Sequence, residues 1–146
     1  MRLAHFNLAQ IAEARGDDAA ADAEYRTEID HHPTAYKAIF NLGRLKARRG
    51  LSAEAIAQYR KSVEANPEFA EGFFYLAKAL LDEGKSLDDA ESYARRGLAL
   101  EPDGQTSPLG HFVIGGVMMK RGKAAEAERE LNKGLALEAR LARRAK

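Results

Sequence analysis

Glycine and proline recur along this chain on one shared period, and that regularity restricts the fold more than any other feature of the sequence. Gly16, Gly50, Gly84 and Gly122 are spaced by 34, 34 and 38 residues, and Pro33, Pro67 and Pro102 by 34 and 35. Glycine can take the left-handed backbone that often ends a helix, and proline cannot continue one. An alanine follows the glycine by five residues at Ala21, Ala55 and Ala127 and by six at Ala90, so the third copy carries one extra turn residue within 85–87. A period of this length denotes stacked supersecondary units, none of which buries its apolar face alone. The copies fall at about 2–35, 36–69, 70–107 and 108–141, followed by a basic extension at 142–146, and 1–146 reads as a single array. The stretch from Tyr36 to Phe69 is the most regular of them.

Each copy carries the signals of two helices. In the first, helix A spans roughly Leu3 to Ala14 and ends at Gly16, and helix B spans about Asp18 to Asp30 with Asp17 as its N-cap. The B helices repeat a stripe at spacing four: Ala21, Tyr25 and Ile29; Ala55, Tyr59 and Val63; Ala90, Ala94 and Leu98; Ala127, Leu131 and Leu135. Gly43, Ala77 and Gly115, set opposite Ala55, Ala90 and Ala127, leave room for helices A and B to approach closely. Lys46 is out of place on the apolar stripe, and its stem is expected to lie along the core with the ammonium in water. In the third copy Ser86 and Asp89 form a capping signal for the restarted helix B. The stretch from Pro102 to Pro108 is a loop lengthened by three residues, with Ser107 as N-cap and Pro108 as first helical residue. The last B helix lacks a terminating proline and is expected to run from about Ala124 through Arg144, its cations complementing a helix C-terminus.

Chemistry is sparse. There is no cysteine, so thiolate catalysis and thiolate metal sites are excluded. His5 and His111 fall on the apolar side of helix A as packed histidines, and His31 and His32 precede Pro33 in a turn. None makes a metal set with a carboxylate at helical spacing. Phosphate-loop, H-E-x-x-H and G-x-S-x-G motifs are absent. The chain therefore reads as a non-enzyme with no cofactor and no metal. Its 23 basic and 22 acidic residues are interleaved, which argues against nucleic acid. The absence of an apolar leader or a membrane-length apolar run argues against a membrane and leans toward a cytoplasmic location.

Local charge is less even than the total. The first three copies carry −4, +4 and −4, and the fourth together with its basic extension +5, from three basic against seven acidic residues, seven against three, four against eight and nine against four. Alternating signs would make neighbouring repeats attract across each joint and would disfavour skipped or reversed stacking.

The residues Ile39, Leu42, Gly43, Ala55, Tyr59 and Pro67 follow the pattern W-x2-L-G-x2-Y, A-x3-F, P, and the second copy thereby resembles the tetratricopeptide repeat. His5, Leu8, Ala9, Ala12, Ala21, Tyr25 and Pro33 match in the first copy. The third matches through Phe73, Leu76, Ala77, Leu80, Ala90, Ala94 and Pro102, and the fourth through His111, Ile114, Gly115, Met118, Ala127 and Leu131. The departures are the missing tryptophan, Lys46 at an aromatic place, and Ala139 where the last proline is due. This resemblance implies an all-α, right-handed solenoid of four helix-turn-helix repeats that serves as a protein-interaction module.

It also implies that the second, fifth, ninth and twelfth places of each helix A line a concave groove. Those places hold Leu3, Phe6, Gln10 and Glu13; Lys37, Phe40, Arg44 and Ala47; Glu71, Phe74, Lys78 and Leu81; and Leu109, Phe112, Gly116 and Met119. Adding Asn41, Arg48 and Tyr75 gives the expected partner-binding set: Phe6, Gln10, Lys37, Phe40, Asn41, Arg44, Arg48, Phe74, Tyr75, Lys78, Phe112 and Met119. Such a ladder of phenylalanines flanked by cations suits an extended or helical peptide with apolar and acidic side chains. Packing of the same phenylalanines against their neighbours is the alternative account of the ladder. Cochaperone members of the family grip a terminal carboxylate through Lys, Asn, Asn, Lys and Lys or Arg. The corresponding places here hold Phe6, Gln10, Asn41, Glu71 and Tyr75, and only Asn41 matches. Starting one repeat later gives Phe40, Arg44, Tyr75, Leu109 and Val113, with no match, so no binding of chaperone tails is expected. Two other readings stay open: a structural array that self-associates through its terminal repeats, and a regulatory segment of a larger protein or enzyme.

Overall fold

The computed structural model describes residues 4–145. Among them the helices are α1 (Ala4–Ala14), α2 (Asp18–His31), α3 (Tyr36–Arg48), α4 (Ser52–Ala65), α5 (Ala70–Glu83), α6 (Leu87–Leu100), α7 (Ser107–Lys120) and α8 (Ala124–Arg144). They alternate as helices A and B of four repeats, and no strand interrupts them among the described residues. Two compact units result, Met1–Pro67 with α1 to α4 and Glu68–Lys146 with α5 to α8. None of the described helices is long and apolar enough to cross a membrane.

The periodic glycines are the physical origin of the hairpins. Gly16, Gly50, Gly84 and Gly122 all sit at φ between +75° and +78°, where a side chain would clash with the backbone. After α1, α3 and α7 the turn closes identically: the N–H following the glycine reaches back five residues, Asp17 to Ala12, Leu51 to Lys46 and Lys123 to Met118, each at 2.9 Å. At Gly84 the glycine's own N–H bonds Leu80 O at 3.0 Å, and this is the turn that carries the inserted residue.

Capping follows the sequence in part. Asp17 accepts from the Ala20 N–H at 3.1 Å as expected. Ser86 stands at the N-cap of α6 but makes no side-chain capping bond, so the expected S-x-x-D cap is not formed. Ser107 is not a cap either. It is the first residue of α7, preceded by Thr106. Its hydroxyl donates to Glu101 O at 2.5 Å and accepts from the Gly104 N–H at 2.9 Å. The lengthened loop is thus pinned by a buried side chain inside the second unit. His31, expected in the turn, instead ends α2.

In the first unit the core is Ala9, Ala21, Tyr25, Ala38, Leu42 and Leu45, with Phe6, Ala12 and Ile29 packed against it. The second buries Phe73, Leu76, Leu80, Val113, Ile114, Val117 and Leu137 among others. Close approach of A and B depends on the expected small residues, though their partners lie one turn further along than the alanines. A Cβ on Gly43 would stand 2.8 Å from the Tyr59 ring, and one on Gly115 2.9 Å from Leu131.

One pairing between A and B recurs with matched chemistry. His5 Nδ1 lies 2.7 Å from Glu24 and His111 Nδ1 3.0 Å from Glu130, while Phe73 stacks on Tyr93 at 5.9 Å in the corresponding place. The two histidines are half-buried partners of carboxylates rather than packed core residues.

Candidate interaction surface

The inner face of helix A was expected to carry four apolar anchors, and burial divides them. Phe74 is 0 % exposed and Phe40 3 %. Phe6 and Phe112 are half-buried. Phe6 meets Tyr25 edge-on with centroids 6.0 Å apart, and Phe40 meets Tyr59 at 5.7 Å. Phe74 fills the space over Gly97, where a Cβ would come within 2.5 Å of its ring, and Phe112 does the same over Gly134 at 2.5 Å. Each phenylalanine therefore packs on the B helix of its own repeat. As exposed anchors Phe40 and Phe74 are corrected: they form the wall beneath the face, and polar residues form its surface.

Those surface residues are Gln10, Lys37 and Arg44, with half-buried Asn41, in the first unit, and Lys78, half-buried Tyr75 and Met119 in the second. Met119 is 58 % exposed, the most open of the large apolar side chains among the described residues. Lys78 is held by Asp82 at 2.8 Å, one helical turn away. The Asn41 side chain reaches the Tyr25 hydroxyl, which also donates to Glu13. Burial raises the Tyr25 phenol far above its ordinary range, and the bond to the Glu13 carboxylate adds to that, so the hydroxyl stays a donor. Leu3, the first expected groove residue, lies outside the described residues.

Arg48 was expected among the groove cations and is committed elsewhere. Its guanidinium bridges Glu13 at 3.3 Å and Asp18 at 2.9 Å, both in the first repeat. Lys46 likewise differs from expectation. It is 6 % exposed, with Nζ 2.7 Å from Asp22 Oδ2 and 3.6 Å from Glu54. Burial would raise the Asp22 carboxyl, but hydrogen bonds and charge from Lys46 and Arg26 outweigh it and hold the group below the usual carboxylate range.

The second unit repeats this arrangement. Glu91 occupies in the third repeat the place of Asp22 in the first; it pairs with Arg95 at 2.8 Å on its own helix and with Arg121 of the fourth repeat at 2.5 Å. Arg121 also pairs with Asp88. Glu91 too is held low: burial pushes it up, and Arg121 and Arg95 more than offset that. At both joints the carboxylates come from the acidic repeat and the cations from the basic repeat that follows.

Elsewhere in the first unit, a cleft of about 560 Å³ opens among Ile29, Pro33, Gln58, Lys61 and Glu64. A smaller cavity of about 350 Å³ lies under the A-helix face, lined by Phe6, Glu28, Thr34, Ala35, Tyr36, Lys37 and Ala38. Glu28 belongs to no motif and was missed in the sequence. The available signal was its place three residues after Tyr25, where the other repeats hold Ser62, Gly97 and Gly134. Among the described residues no group of three His, Asp or Glu is gathered as a metal site.

Paired helices closed by a left-handed glycine, with ionic joints between consecutive pairs, define a helical-repeat protein. Residues 40–105 match the family model described as Tetratricopeptide repeat, and the eight described helices fit four such repeats. Over 40–105, which takes in α4 to α6 and most of α3, the chain thus matches the tetratricopeptide repeat. Among solved structures it is similar to MamA from residue 41 to the end, from Desulfovibrio magneticus RS-1, at TM-score 0.79 and 16 % identity over 95 % of this chain and 76 % of that one. It is also similar to TTC0263, a thermophilic TPR protein of Thermus thermophilus, at TM-score 0.75 and 23 % identity over 95 % and 75 %. MamA of MSR-1 gives TM-score 0.75 and 23 % identity over 93 % and 76 %. At these identities the likeness is one of fold. No curated protein matches the sequence.

Proposed function

We propose that this chain is a non-catalytic protein-interaction module that takes a partner segment on the inner face of its A helices, chiefly in the first unit. The observation that carries this reading is the exposure of Gln10, Lys37 and Arg44 over a rigid wall of buried phenylalanine. A fixed apolar wall with polar side chains at its surface recognises a peptide at low ordering cost. The cations favour acidic residues in that peptide. The terminal-carboxylate grip of cochaperones is not supported, since Asn41, the one matching residue, is turned to Tyr25.

The test is selection of a random displayed peptide library on the full chain, followed by affinity measurement on two charge-reversed variants. Lys37→Glu alters the A-helix face of the first unit, and Lys61→Glu alters an exposed lysine on its α4. The selected peptides are expected to lose about tenfold or more in affinity on the first variant and to keep it on the second. Equal binding to both would overturn the assignment of the face.

A further inference from the structure

Glu28 breaks the rule that the other repeats obey. The place three residues after the B-helix Tyr, Ala or Leu holds Ser62, Gly97 and Gly134 in the later copies, and at both glycines a phenylalanine ring closes the space to within 2.5 Å of where a Cβ would sit. The first repeat puts a carboxylate there. Glu28 is 2 % exposed and, with Phe6, lines a cavity of about 350 Å³. Among the described residues no side chain donates to the Glu28 carboxylate or forms an ion pair with it, and Glu28 lines the cavity. An acid so placed is costly unless a cation arrives to meet it.

We propose that this cavity is a receptor for one cationic side chain of the partner, a lysine or an arginine, with Glu28 as its counter-ion. The stem of such a side chain would lie against Phe6, Ala35 and Ala38 while its head reaches Glu28, the usual division of an amphipathic side chain between apolar wall and charge. The proposal rests on the reading of the A-helix face as the binding surface and refines it: the preferred segment carries one basic residue set among acidic and apolar ones.

Small side-chain analogues test the cavity without any peptide, so failure here and failure of the face assignment are separate observations. The full chain, isotopically labelled, is titrated with n-butylamine, n-propylguanidine, neutral 1-pentanol and pentanoate, following the amide resonances of Phe6, Ala35 and Ala38. The two cations are expected to give saturable shifts at these amides, with the alcohol about tenfold weaker and the carboxylate weaker still. The tighter of the two cations tells lysine from arginine. Glu28→Gln should reduce cation binding to the level of the alcohol. Glu28→Ser installs the residue of the second repeat, keeps the helical fold by circular dichroism and should bind no better. Equal affinity for cation and alcohol, or cation binding retained in both variants, would overturn the proposal.

Discussion

Lys46 and Asp22 are the pair at which a single substitution matters most. Replacing Lys46 by Met should cost about 3 kcal/mol in urea unfolding, because it strands a largely buried carboxylate with only Arg26 beside it. Adding Asp22→Leu should recover most of that loss. Titration adds a second expectation. The Asp22, Glu91 and Glu130 carboxyls are all held below their ordinary values. At Glu130 burial opposes the shift, while His111 and Lys133 drive it. A depressed carboxyl contributes stability that is complete above its unfolded value of about 4 and is lost as pH falls through the folded value. The unfolding midpoint should therefore drop as the pH is lowered past about 4, and Asp22→Asn with Glu91→Gln should flatten that acid limb. Little of this was legible in the sequence. A lysine on an apolar stripe reads as a snorkelling stem, because the acid that meets it lies 24 positions earlier on another helix. Glu28 was invisible for a related reason: one carboxylate on a charged helix signals nothing until its burial is known.

The helices whose bounds were read from the sequence, α1, α2 and α8, agree with the structure almost to the residue. Glycine after helix A, proline after helix B and, at α2, the Asp17 cap act within a few positions and need no tertiary partner. Two kinds of glycine nevertheless do different work. Gly50→Ala meets no neighbour within 4 Å, so its cost is purely that of placing a side chain at φ +78°, about 1 kcal/mol. Gly134→Ala would overpack the Phe112 ring at 2.5 Å and should cost about 1–3 kcal/mol, with a change in the tertiary aromatic signal. Thermal melts with near-ultraviolet circular dichroism separate the two, since only the second disturbs an aromatic contact. The phenylalanine ladder was legible as a pattern and not as a role. Period alone places Phe6, Phe40, Phe74 and Phe112 on one face, but whether a ring is exposed depends on the side chain facing it from helix B. Ser86 and Ser107 show the same limit, since a hydroxyl at a helix start can cap the helix or bond the loop before it.

Alternating repeat charge is the feature of the whole chain that the sequence displayed most plainly, and at the joints inside both units it takes the form of ion pairs. Arg48 and Lys46 reach back to the first repeat, and Arg121 reaches back to the third. Apart from the largely buried Lys46–Asp22 pair, each exposed pair contributes little, about 0.2–1 kcal/mol, yet they act together and are screened by salt. Urea stability should accordingly fall between low and high sodium chloride, and insensitivity to salt would remove the joints from the account. The Arg48 cation is spent in this way, which is why it does not carry the binding claim. That claim is tested most directly by mapping amide shift changes on the labelled full chain as a selected peptide is titrated. The account predicts that the changes concentrate on α1 and α3 around Gln10, Lys37, Asn41 and Arg44. Changes concentrated instead around Gln58, Lys61 and Glu64, in the cleft elsewhere in the first unit, would contradict it.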